Sequence, residues 1–205
     1  MCHKLDPIFF TRIAALDPAD AQRRCLCGYN EGEKSYIVTF LEREYRIEPT
    51  RRLIIPVRND AREVGPDMGI VMLFYLLQAK NLPIEGNWVS EFDLPGGSLF
   101  FRGPHRVRNK EIADRFGRDA AGFERACRAV GGEPIAMGDS AFRFTVLPRI
   151  PASVVLWTAD EEFEASAKLL FDASVREHLP LDVIFGMALE LLGAILGKQL
   201  WGMSG

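Results

Sequence analysis

Apolar residues recur at helical spacing at Ile8, Phe9, Ile13 and Leu16, behind a candidate N-cap at Asp6 and Pro7 at the first helical position. This pattern predicts a short amphipathic helix, and Asp17-Pro18 repeats the start signal for a second one running to about Arg24. From Ser35 to Glu48 the period drops to two, with Tyr36, Val38 and Phe40, then Tyr45 and Ile47, on alternate positions around a turn near Glu42-Arg43. That alternation predicts a hairpin. Leu53 to Val57 is a further extended run, and Pro56 confines it to a sheet edge or strand end. Met68, Val71, Met72, Tyr75 and Leu76 return to helical spacing until Asn81-Leu82-Pro83.

Ile84 to Gly103 sets Trp88, Phe92, Leu99, Phe100 and Phe101 among glycines and a proline, which predicts an ordered loop followed by a short strand. Two polar-faced helices are expected over Lys110–Phe116 and Ala120–Val130, the second closed by Gly131-Gly132. Strands follow at Ala141–Val146 and Ser153–Thr158, then helices over Phe163–Val175 and Leu181–Trp201, split at Leu179-Pro180. The chain carries no internal repeat and no Gly/Ser linker, so residues 1–205 read as a single α+β domain with a mainly antiparallel sheet and a helical extension over 1–34. Strands confined to the first and last thirds demand that early strands pair with late ones.

Composition narrows the function classes. With 205 residues, 48% hydrophobic and 26% charged, the chain has the makeup of an ordinary globular protein. A net charge of -3 gives no global attraction for nucleic acid, and no nucleic-acid partner is expected. The apolar runs Ile70–Leu77 and Val183–Gly197 are too short, or are broken by Glu190, so no membrane partner is expected either. No export signal is readable, and four irregularly spaced cysteines (Cys2, Cys25, Cys27, Cys127) read as reduced thiols of a cytoplasmic protein.

The densest chemistry is Asp160-Glu161-Glu162 with Glu164, just after Leu156-Trp157-Thr158. Paired acids can divide acid and base roles or hold a hard cation, although acids in the first turn of a helix are equally explained by the helix dipole. Asp172 lies between apolar neighbours and needs a buried partner, an arginine being expected. Arg102, Arg106, Arg108, Arg115, Arg118, Arg125 and Arg128 form a basic segment that suits either an anionic ligand or docking against the acidic one. His105 stands beside it. Gly186, Glu190, Gly193 and Gly197 share a helical stripe that fits a close helix contact, a ligand cleft or a homo-oligomer face. Cys25-x-Cys27 lacks a second paired motif, so no metal is assigned, and nothing names a cofactor.

The ordered blocks Tyr75-Leu76-Leu77-Gln78-Ala79-Lys80, Gly86-Asn87-Trp88-Val89-Ser90, Leu94-Pro95-Gly96-Gly97, Leu147-Pro148-Arg149-Ile150-Pro151, Leu156-Trp157-Thr158-Ala159-Asp160-Glu161-Glu162-Phe163 and Leu170-Phe171-Asp172 resemble an uncharacterised prokaryotic domain family found mainly in anaerobes. Some of its members are fused to a four-cysteine iron-sulfur domain of the corrinoid-protein kind, which implies a link to corrinoid or iron-sulfur metabolism. This sequence lacks that cysteine module. The reading is a ligand-binding or accessory module for a small molecule. Its expected pocket joins the Gly-rich loop (Trp88, Gly96, Gly97, Arg102) to Trp157, Glu162 and Asp172. The alternatives are an enzyme using Asp160, Glu161 and His105 on an anionic substrate, and a protein-interaction subunit using the glycine stripe.

Overall fold

A computed structural model describes residues 5–58 and 63–198. The fold is a single α+β domain with two antiparallel sheets packed against helices. Helices α1 (Pro7–Ala14) and α2 (Pro18–Cys25) begin where the sequence places them, with Asp6 and Asp17 capping the N–H groups of Ile8 and Ala19. The first sheet runs β1 (Gly28–Asn30), β2 (Ser35–Phe40), β3 (Arg43–Glu48), β4 (Leu53–Pro56), so part of the expected helical extension is an edge strand. Leu41 and Glu42 make the tight β2–β3 turn with φ of 47° and 61°. Leu41 N–H donates to Val146 O across to the second sheet.

The second sheet has the order β5 (Trp88–Val89), β9 (Ser166–Asp172), β8 (Ile150–Trp157), β7 (Ser140–Leu147), β6 (Glu133–Pro134). Early and late strands therefore build separate sheets, apart from the β5–β9 pair, and the expected early-to-late pairing does not occur. The inner face of this sheet, including Phe142, Phe144, Val154, Leu156, Leu169 and Phe171, is buried. It lies in one core with residues of α3 (Pro66–Gln78), α5 (Asn109–Phe116), α6 (Ala120–Arg128) and α8 (Leu181–Leu196). Aromatic contacts run through Phe116, Phe123 and Phe142, while Phe9 of α1 packs on Phe74 of α3 at 5.2 Å.

Two expectations fail here for identifiable reasons. The helix expected over Phe163–Val175 is mainly β9, because Ala167, Leu169 and Phe171 alternate with Ser166, Lys168 and Leu170, and pairing on both edges outweighs local helical signals. The strand expected near Leu99-Phe100-Phe101 is a helical turn, α4 (Gly97–Phe100), started by Gly96 at φ 78°. Gly97 is demanded by space: a Cβ would fall 2.0 Å from the carbonyl oxygen of Glu91. A 3₁₀ turn at Gly103–His105 and a short helix, α7 (Val175–His178), complete the described elements. Residues beyond 198 of the last expected helix lie outside the described residues.

The glycine stripe of α8 divides the same way. Gly186 faces Asp67 and Val71 of α3 at 3.7 and 3.9 Å from a would-be Cβ, and Gly197 ends the helix at φ 65°. Part of the stripe is thus a helix contact and part a C-cap. In urea unfolding, Gly97→Ala is expected to cost more than ~2 kcal/mol, whereas Gly186→Ala should be neutral or gain up to ~1 kcal/mol from helix propensity. Equal effects from the two would contradict this packing.

Candidate functional site

The acids expected at a helix start instead occupy the β8–β9 connection. Asp160 Oδ1 accepts from the N–H groups of Glu162 (2.8 Å) and Phe163 (2.7 Å), so the capping chemistry is present but closes a turn rather than a helix. Thr158 anchors the start of the connection by donating its N–H and Oγ to Asp139, both at 2.8 Å. Its far wall is the turn between α5 and α6. There Gly117 O accepts from Ala159 N–H at 2.8 Å, and a Cβ on Gly117 would meet Ala165 Cβ at 2.2 Å. One buried glycine therefore brings the acidic connection against the basic helices.

Between these walls lies an open groove of about 600 Å³ lined by Lys110, Asp114, Arg115, Arg118 and Asp119 on one side and residues 159–165 on the other. Much of its charge is already engaged. Lys110 pairs with Asp114, which raises the lysine pKa; Asp119 caps Gly122 N–H at 2.8 Å; Asp160 serves its own turn. Arg115 lies over the Phe116 ring at 4.9 Å. Arg118, Glu161 and Glu162 remain exposed and, among the described residues, have no ion-pair partner. Phe163 projects from the acidic wall with 69% of its surface exposed. Arg108 and Arg128 pair along their own helices with Glu111 and Glu124. Two arginines of the basic segment are thus held in local pairs, while Arg115 and Arg118 line the groove with the acids.

The other candidate residues are dispersed. Trp88 and Asp172 are paired at one end of β9, whereas Trp157 pairs with Ser166 at the other, roughly 20 Å away by strand rise. The Gly-rich loop and the acidic bend therefore do not line a common hollow. Trp88 packs on Ala141, Val155 and Leu170, while Trp157 is 40% exposed. His105 stacks on Phe100 at 4.5 Å and meets Phe185 edge-on, and it is not among the residues that line the groove with Asp160 and Glu161. Arg102 is exposed at the start of the 3₁₀ turn, and Gly96 and Gly97 serve the α4 start. Of the candidates, the groove gathers Asp160, Glu161, Glu162 and Glu164 with Arg115 and Arg118 of the basic segment. Gly117, Phe163 and Ala165 are additions to the groove that no motif in the sequence marks as a site.

Asp172 is 1% exposed, and its partners are not an arginine. It accepts from Glu85 N–H (3.0 Å), Gly86 N–H (2.7 Å), Ser174 N–H (3.0 Å) and Ser174 Oγ (2.6 Å). Burial pushes its pKa up, but these hydrogen bonds more than offset it and hold the carboxyl below the usual range. The carboxylate ties the start of the Gly-rich loop to the end of β9. In the same loop Glu91 is buried, and burial raises its pKa.

Residues 17–192 match the domain of unknown function DUF3786. The chain belongs to this family. No curated protein and no solved structure matches it. Among the described residues of this DUF3786 protein, no three His, Cys, Asp or Glu side chains gather into a metal-holding group, so a four-cysteine cluster does not fit them. No helix among them is long and apolar enough to cross a membrane.

Asp172→Asn should cost about 3 kcal/mol at pH 7, because an amide NH₂ would face a backbone N–H now bound by the carboxylate. With its folded pKa depressed, the Asp172 contribution is present above the unfolded value near 3.9 and is lost as pH falls through the folded one. Urea unfolding of both proteins at pH 7 and pH 3 should therefore show the gap narrowing in acid. A constant gap would contradict the assignment.

Proposed function

We propose that this DUF3786 chain is a ligand-binding or accessory module whose working surface is the groove between the α5–α6 turn and the β8–β9 connection. The single observation that carries this reading is that unengaged charges of both signs, Arg118 with Glu161 and Glu162, line one groove. Exposed charges of both signs on separately anchored walls suit a small zwitterionic molecule, its anionic group on Arg118 and its ammonium on the glutamates. Catalysis by Asp160, Glu161 and His105 draws no support from the placement of His105, which stacks on Phe100 and is not among the groove's lining residues. The exposed acids also sit where water screens them. The wider role follows the sequence resemblance: a cytoplasmic accessory protein linked to corrinoid or iron-sulfur metabolism in anaerobes, serving such a centre rather than holding it.

A thermal-shift panel of amino acids and other small zwitterions tests the reading. A ligand at 100 times its Kd stabilises by about 2.7 kcal/mol, which for a chain of this size is roughly 5–10 °C. Arg118→Ala and the double variant Glu161→Gln/Glu162→Gln change exposed groups, so both should fold normally and lose the shift. A panel without shifts, or shifts unchanged in both variants, would overturn the proposal.

A further inference from the structure

The end of α2 holds a chemical pair that the groove does not use. Cys25 is the last residue of α2 and Leu26 its C-cap, in the left-handed region at φ 52°, ψ 38°. A leucine adopts this conformation at a cost, since its Cβ crowds the backbone. Helical geometry of either hand places residues i and i+2 about 5.4 Å apart at Cα, inside the span a disulfide bridges. Both thiols are free and buried at this bend.

The surroundings distinguish the two sulfurs. Cys25 is fully enclosed, with Sγ donating to Tyr75 O at 3.4 Å, while the Tyr75 hydroxyl donates to Cys25 O at 3.0 Å. Cys27 is 9% exposed. Arg24, anchored to Asp20 and to the carbonyl of Ala79, and Arg149, bound to the carbonyls of Arg23 and Arg24, frame the pair with positive charge. The neighbouring Cys25 thiol and the Arg24 guanidinium favour a thiolate on Cys27 and lower its pKa, and the nearby Cys27 sulfur together with burial raises that of Cys25.

We infer that Cys25 and Cys27 form a reversible dithiol–disulfide couple, with Cys27 the attacking and Cys25 the resolving sulfur, oxidised by a small-molecule disulfide. Cys27 thiolate attacks one sulfur of the oxidant, forming a mixed disulfide and expelling one thiolate. Cys25 then attacks Cys27 Sγ, closing the bridge and expelling the second. Two electrons pass to the oxidant, which leaves as two thiols after taking up the protons of Cys25 and Cys27. Closure withdraws the Cys25 S–H from Tyr75 O and so loosens the α2–α3 contact. The couple sits by the β7–β8 turn, at the opposite end of β8 from the groove, and does not depend on it.

The test uses the full chain, reduced without air and equilibrated with mixtures of glutathione and glutathione disulfide, then alkylated and digested with trypsin. Cleavage after Arg24 and Lys34 releases both cysteines in one peptide, so the closed couple appears as an unalkylated peptide two hydrogens lighter. Two of four thiols should be lost, reversibly; Cys27→Ser should abolish the change, Cys127→Ser should not, and Cys25→Ser should stop at glutathione on Cys27. A wild-type peptide that stays doubly alkylated at every ratio would overturn the inference, as would pairing of Cys27 with Cys2 or Cys127. Should Cys25→Ser not fold, the wild-type peptide decides alone.

Discussion

The hydrogen bond from Ala159 N–H to Gly117 O, together with the contact of Gly117 against Ala165, is the constraint on which the groove depends. Each wall is locally stable: α5 and α6 bury Ile112, Phe116 and Phe123, and the acidic connection is closed by Asp160. Neither local preference makes the walls meet. Absence of a side chain at position 117 does, because any Cβ there would push Ala165 and the connection outward.

The second sheet carries this junction because β9 is held on both edges. Its pairing with β8 sets the length of the acidic connection, and at its other end Asp172 fastens the Gly-rich loop through two backbone N–H groups. A strand so placed separates two features that the sequence made neighbours in function. The aromatic loop becomes structural, packing Trp88 over the outer sheet face, and the acids are left to face the basic helices.

Local signals made most elements legible. The Asp-Pro starts of α1 and α2, the alternation of β2 and β3 and the Pro56 edge strand all lie where patterning puts them. β9 was not legible, because Asp160 mimics a helix cap and Leu169-Leu170-Phe171 is apolar on consecutive positions, as a strand end buried on both faces allows. The candidate site was legible only in half: Asp160, Glu161 and Glu162 stand out by charge density, whereas Gly117 and Arg118 take their meaning from a contact more than forty positions away.

Residue-resolved amide hydrogen exchange tests the central junction most directly. The account requires the Ala159 amide, though it lies in a surface connection, to exchange at least a hundredfold more slowly than those of Glu161 and Glu164 beside it. Exchange of Ala159 at the rate of these neighbours would show that the two walls are not joined, and the groove would lose its basis.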